Sequence, residues 1–318
     1  MIFGINYPWT VLDGRANYGC DFGRNIWNSH TGVSVHVEGV RADFAAMAEM
    51  GLEVARWFVF TDGRGGVEWT ADGELAGLAP GFFDDMDAAI ECASSAGMRL
   101  CLVLLDYFWM HDAGRRRYLA TEAGRSAFLD RLIDPILERY GHVVHSFDVI
   151  NEPDWVTDGL EPNLAHQPIS LEELRRFVQA TADRIHARSP ALVTVGGGRV
   201  KFAAEWDRPE LGLDFVQVHS YPEVRYPDRD DALFGRTAAS FGLTKPILIG
   251  EHPSNPRVHP ADHLSPSYTL ADYLQLAREG GYLGAWPWSF KGGGAFGDVD
   301  LELMRGAIER IRPIRPER

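Results

Sequence analysis

The stretch His145-Ser146-Phe147-Asp148-Val149-Ile150-Asn151-Glu152-Pro153 decides the reading of this chain. Ser146 to Ile150 has the composition of a buried strand. An amide, a carboxyl and a strand-stopping proline follow at its end. A carboxyl at a strand mouth is a natural place for acid–base chemistry, and Glu152 is read as that group. Its expected partner is a second carboxyl far along the chain.

Working outward, apolar runs alternate with helical patterns. Strands are expected at Ile2–Asn6, Val54–Phe60, Arg99–Leu105, Ser146–Ile150, Leu192–Val195, Asp214–Val218, Pro246–Gly250 and Leu283–Trp288. Helices are expected at Val40–Met50, Phe82–Ala96, Glu122–Tyr140, Ser170–Arg188, Asp230–Phe241, Thr269–Glu279 and Asp300–Ile311. Ser170 with Glu173 three residues on forms a capping box, and Gly51 and Gly97 close their helices. Eight βα units without a linker or composition break predict one (β/α)8 TIM barrel, a single catalytic domain over residues 1–318 with an extended first βα loop. A doubly wound sheet is the alternative. It would carry a glycine-rich phosphate turn after strand one, where Gly4-Ile5-Asn6-Tyr7-Pro8-Trp9 stands instead.

The chain has 318 residues, 45% hydrophobic and 24% charged, which suffices for a large core. A net charge of −14 argues against a nucleic-acid partner. The Arg115-Arg116-Arg117 run is read as a solvated face rather than an anion site. The three cysteines fit no metal or redox spacing, and an odd count suits a reduced compartment. No apolar run approaches the ~18 residues of a membrane span. No signal peptide is visible before Ile2, so the expected location is cytoplasmic, or secreted if a leader has been removed. No membrane partner, metal or cofactor is expected.

In a (β/α)8 barrel the reacting groups lie at the C-terminal strand ends. Those ends carry Asn6, Arg56, Asp106, Asn151 with Glu152, His219 with Tyr221, Glu251, and Trp286 with Trp288. The glutamates after strands four and seven face each other across the mouth. Trp9, Trp27, Trp57, Trp109, Trp155, Trp286 and Trp288 crowd the same end, with Trp57 the one expected to face the helices. Flat rings with a few placed polar groups suit a carbohydrate substrate. A buried arginine needs an anionic partner, and Glu251 is the expected one for Arg56. Asp106 and Asn6 are balanced between scaffold and sugar contact. His111 and His252 are read as supporting or surface groups.

These residues carry a resemblance. The chain resembles the clan A glycoside hydrolases of the family 5, β-mannanase-like kind. The matching parts are Asn151-Glu152-Pro153, Ile249-Gly250-Glu251, Arg56, His219-x-Tyr221 and Trp288-Ser289, each on the corresponding strand. The resemblance implies a retaining mechanism with Glu152 as acid/base and Glu251 as nucleophile. It implies that Arg56 and Tyr221 keep Glu251 ionised and that Glu152, drier beside Trp155, holds its proton. Asn151 would contact the sugar 2-hydroxyl, His219 would orient the acid/base or the sugar, and Trp288 would floor the subsite. Trp286, Trp109, Trp9 and Asp106 complete the expected substrate-binding set. Phe108 where the family often has histidine, and His252-Pro253 after Glu251, depart from the pattern and bear on the substrate.

Two other classes stand beside this reading: a sugar-binding barrel without catalysis, and a metal-dependent hydrolase. The latter typically shows His-x-His on strand one, which is absent here. Long loops at Tyr7–His36, Asp106–Ala120, Asp154–Gln167 and Tyr221–Arg229 favour a pocket, and with it short oligosaccharides or glycoconjugates.

Overall fold

The strands are continuous apolar runs because both of their faces are covered, one by helices and one by the barrel interior. The computed structural model describes residues 1–162, 164, 167–221, 233–254, 268–292 and 297–312. Eight strands carry the fold: β1 (Gly4–Asn6), β2 (Val54–Phe58), β3 (Arg99–Asp106), β4 (Ser146–Asn151), β5 (Leu192–Gly197), β6 (Val216–His219), β7 (Ile247–Pro253) and β8 (Ala285–Trp288). Each pairs with the next in parallel, in chain order. The two ends of the sheet approach each other. Ile2 N donates to Leu283 O at 2.7 Å, and Phe290 N donates to Asn6 O at 2.8 Å. The Asn6 side-chain amide also reaches the carbonyls of Trp286 and Pro287. The result is a nearly closed (β/α)8 barrel.

The helices are α1 (Val37–Glu49), α2 (Phe82–Ser95), α3 (Ala113–Ala120), α4 (Glu122–Phe128), α5 (Asp134–Tyr140), α6 (Leu171–Arg188), α7 (Ala203–Trp206), α8 (Leu270–Gly280) and α9 (Leu301–Ile311). The capping box expected at Ser170 is formed with Glu173 and starts α6. That helix buries Leu174, Phe177, Val178, Thr181, Ala182 and Ile185, a stripe of helical period against the strands. No helix among the described residues is long and apolar enough to cross a membrane.

The structure differs from the sequence expectation at several places. The span Glu122–Tyr140 is not one regular α-helix: a π-turn over Leu129–Ile133 separates α4 from α5. Pro135 lacks the N–H that a continuous α-helix would use there. The strand-three loop contains α3, capped by the Asp112 side chain. Its Arg115, Arg116 and Arg117 face Asp112, Glu173 and Glu74, so the basic run is locally neutralised. Of the helix expected over Asp230–Phe241, the described residues form a 3₁₀ turn at Ala238–Phe241, and 230–232 lie outside them. The loop expected at Tyr221–Arg229 is described only at Tyr221.

Trp286 is a correction. It was expected at the sugar-binding mouth, but it is 2% exposed and packs with Val54, Cys101, Phe215 and Leu248 inside the barrel. Alternation along β8 puts Trp286 and Trp288 on the same face, but Trp286 lies two residues deeper, about 6–7 Å. Its ring occupies the space that a side chain at position 4 would need: a Cβ on Gly4 would come within 2.4 Å of it. Gly4→Ala is expected to lower unfolding stability by about 1–3 kcal/mol through overpacking. Urea denaturation checks this; an unchanged midpoint would show that the barrel floor is not packed this way.

Candidate active site

Arg56 sits in the middle of β2 with no exposed surface. A guanidinium offers five donors and must spend them. Nη1 donates to Glu251 Oε1 at 2.6 Å and to Asn6 Oδ1 at 2.9 Å. Nη2 donates to Asn151 Oδ1 at 2.7 Å and to Asp148 Oδ2 at 2.8 Å, and Nε also reaches Asp148 Oδ2, at 3.1 Å. Burial works against its charge, but Asp148 and Glu251 more than offset that and hold it protonated. Asp148 is fixed in turn by Gln217 Nε2 at 2.7 Å and Gly196 N at 2.8 Å. A Cβ at position 196 would lie 2.8 Å from both the guanidinium and this carboxylate, so the close approach needs glycine.

The donors of Arg56 set the polarity of the next group. Asn151 must present its oxygen to Arg56, so its amide nitrogen points to Asp106 Oδ2, at 2.8 Å. Asp106 also accepts from Phe108 N at 2.9 Å. Burial pushes the Asp106 carboxyl up to about 8; these two donors oppose the rise, and Glu152 and Glu251 add to it.

Glu152 follows β4 in the left-handed region, with φ 47 and ψ 45. For a non-glycine residue this costs roughly 1–2 kcal/mol. Its backbone N–H donates to Gly196 O at 2.6 Å, and its carboxyl is turned into the mouth. The strand register slips between Thr194 and Gly196 on β5, between Val218 and His219 on β6, and between Ile249 and His252 on β7. Such irregularities re-aim side chains, and these fall where Asn151, Glu152, His219 and Glu251 leave the barrel.

His219 Nδ1 lies 2.9 Å from Glu152 Oε1 and 3.5 Å from Glu251 Oε2. Burial drops its pKa to about 4, against the pull of Glu251, so the ring is neutral at pH 7. Its Nε2 has no hydrogen-bond partner among the described residues, which assigns the ring proton to Nδ1. The other Glu152 oxygen accepts from Trp155 Nε1 at 3.0 Å. Burial raises Glu152 to about 7, with Trp155, Arg56 and Arg199 opposing. Its side chain keeps 16% exposure, and a substrate that covered it would strengthen the rise. Burial raises Glu251 as well. Here a protonated His219, the Arg56 guanidinium in direct contact and the Tyr221 hydroxyl, donating at 2.9 Å, oppose it, with Glu152 adding. With His219 neutral, Arg56 is the cation that favours ionised Glu251 at pH 7. One ligand atom from each of Glu152, His219 and Glu251 lies within 4.8 Å of the others.

These groups open into a cavity of about 470 Å³. Of the residues expected from sequence, Trp9, Asp106, Asn151, Glu152, His219, Tyr221, Glu251 and Trp288 line it, and Arg56 lies directly beneath. Trp109 does not. It is fully buried, with its indole N–H on Arg115 O and its ring against Trp69 and Phe128. The 3₁₀ turn Tyr107–His111 instead presents Tyr107 and Phe108 to the cavity. Trp57 faces outward, packing on Tyr7, Phe22 and Phe44. Tyr18, Phe58, Leu164, Gly198 and Arg199 were not expected in the lining. Asp148 was read only as a strand residue, although a polar residue inside an apolar run was a usable signal.

No protein-family model matches the chain, and no curated protein matches its sequence. Solved structures do match. The endo-1,4-β-mannanase from Eisenia fetida superposes with a TM-score of 0.78 at 20% identity, over 99% of this chain and 92% of that one. The β-1,4-mannanase from the sea hare Aplysia kurodai gives 0.77 at 19%, over 98% and 92%. An exo-β-1,4-mannosidase from an Opitutaceae bacterium gives 0.66 at 15%, over 98% of this chain and 60% of that one. The fold is that of the β-mannanases.

Glu152 generates a stability test. Its folded pKa lies above the ordinary carboxylate value, so its contribution is full below about 4.5 and is lost as pH rises through about 7. Glu152→Gln removes that loss. The variant is expected to gain on the order of 1–3 kcal/mol over wild type between pH 4.5 and 7.5, then level off. Denaturation midpoints across this range check it; a difference independent of pH contradicts the assigned shift.

Proposed function

We propose that this chain is a retaining β-glycoside hydrolase acting on β-linked oligosaccharides or glycoconjugates of the β-mannoside or β-glucoside type. The observation that carries the reading is the carboxyl pair: oxygens of Glu152 and Glu251 lie within 4.8 Å of each other above a buried guanidinium. Retaining enzymes hold their carboxyls about 5–5.5 Å apart, whereas inverting enzymes need about 6.5–9.5 Å to admit water. The likeness to mannanase and mannosidase folds makes β-1,4-mannooligosaccharides the first substrates to try.

In the first step Glu251 Oε2 attacks the anomeric carbon. The glycosidic bond breaks, and its oxygen takes the Glu152 proton. Burial holds Glu152 protonated before the attack, and once the attack has cancelled the charge on Glu251 no Glu251 carboxylate stands beside Glu152, so it ionises as it acts. In the second step Glu152 takes a proton from water, the hydroxide oxygen bonds to the anomeric carbon, and Glu251 leaves as carboxylate. His219 Nδ1–H steadies the Glu152 carboxyl in its ionised form. The second N–H of Asn151 is the donor for the sugar 2-hydroxyl, and Trp288 offers a flat face for the ring.

The Glu152–His219–Glu251 group also has the spacing of a cation site. Arg56 argues against that use: a full positive charge already lies 2.6 Å from Glu251. A sugar-binding barrel without catalysis would have no need for a carboxyl pair poised to share one proton.

Aryl β-mannosides and β-glucosides test the proposal. Glu152→Gln is expected to lower kcat at least 10²-fold. Glu251→Gln is expected to abolish turnover, and a fluorosugar should label Glu251. Full activity in either variant, or a label elsewhere, rejects the assignment. Because Glu152 must enter protonated, kcat/KM is expected to fall above about pH 7. A flat profile through pH 6–8.5 would remove Glu152 from the role.

A further inference from the structure

The cavity has two unlike ends. The acid/base must sit beside the bond it breaks, and Glu152 is bonded to Trp155. The leaving group therefore lies toward Trp155 and Arg199. The opposite, glycone end begins at Trp288, whose ring is 5.7 Å from Trp9.

At that end an aromatic wall crosses the barrel mouth. Trp9 follows β1, Phe58 ends β2 and Phe108 follows β3. Tyr18, from the long first loop, joins them. Its ring lies 4.8 Å from Trp9 and 6.2 Å, edge-on, from Phe108. This line of rings runs from the β1 loop to the β3 loop across the end of β2, where Phe58 sits 6.1 Å from Trp9. A polysaccharide lying across the mouth would have to pass through that line of rings.

The wall is braced from behind. The Arg64 guanidinium stands 5.0 Å over the Tyr18 ring and pairs with Asp62. The first loop is tied to the loop after β2 by an antiparallel bridge between Asn25 and Gly65, and Ile26 N donates to Arg64 O at 2.7 Å. The Tyr18 hydroxyl is buried and makes no hydrogen bond among the described residues, so the ring's bulk is what it contributes.

We propose that Tyr18 closes the glycone end, so that the enzyme removes single sugars from the non-reducing terminus instead of cutting inside a chain. This rests on the glycosidase reading above.

The test is the first-turnover product pattern from β-1,4-mannohexaose and cellohexaose labelled at the reducing end, for wild type, Tyr18→Phe and Tyr18→Ala, with melting temperatures as a check on folding. Wild type and Tyr18→Phe are expected to give almost only labelled pentaose. Tyr18→Ala is expected to shift most of the label to tetraose and triose. Labelled triose or tetraose from wild type overturns the proposal, as does a Tyr18→Ala pattern like wild type. If aryl β-glycosides are hydrolysed but Tyr18→Ala leaves both hexaoses intact, the wall is not the limit and the proposal fails alone. If nothing is hydrolysed, the glycosidase reading fails and takes this with it.

Discussion

A buried positive charge between two buried negative ones is the constraint on which the site depends. Arg56 lies inside the barrel with no exposed surface, and an unpaired charge there costs several kcal/mol. Asp148 and Glu251 neutralise it from two sides, and Asn6 and Asn151 take the remaining donors. The two carboxylates are not equivalent. In the proposed mechanism Glu251 becomes an ester and loses its charge. Asp148, held by Gln217 and Gly196 N, does not react, so the guanidinium keeps one counter-ion through the covalent intermediate. A site with Glu251 alone would strand a buried cation at the midpoint of each turnover.

The same charge orders the groups around it. Arg56 turns the Asn151 oxygen inward, which turns its amide nitrogen toward Asp106. It favours the ionised form of Glu251, against the rise that burial and nearby Glu152 impose on that carboxyl. Neutral His219 links the two glutamates without adding charge. Strand irregularities on β5, β6 and β7 and the left-handed backbone at Glu152 are local costs borne where these side chains must converge.

The barrel was legible because its signals are local: apolar runs, capping residues and glycines recur at βα spacing. Glu152, Glu251, Asn151, His219, Tyr221 and Trp288 were legible because strand ends in a barrel converge on one face. Depth was not legible. Trp286 and Trp288 alternate onto the same side of β8, and only packing against Gly4 shows that one fills the floor while the other lines the cavity. Trp109 was misplaced because a short 3₁₀ turn, not an extended loop, decides which of its neighbouring rings faces inward. Asp148 was passed over since a strand-centre residue is read as core unless a partner is known. Tyr18 lies in a loop whose course is set by contacts with Arg64 and Phe108 rather than by any periodic pattern.

The central claim is that Glu152 and Glu251 act as a close pair, one protonating while the other bonds to the sugar. The anomeric configuration of the first product, followed by proton NMR during hydrolysis of an aryl β-glycoside before mutarotation, tests it most directly. Double displacement through this pair is expected to form the β-anomer first. Initial appearance of the α-anomer would mean that water attacks the sugar directly, and would contradict the roles given to both carboxyls and to the buried arginine beneath them.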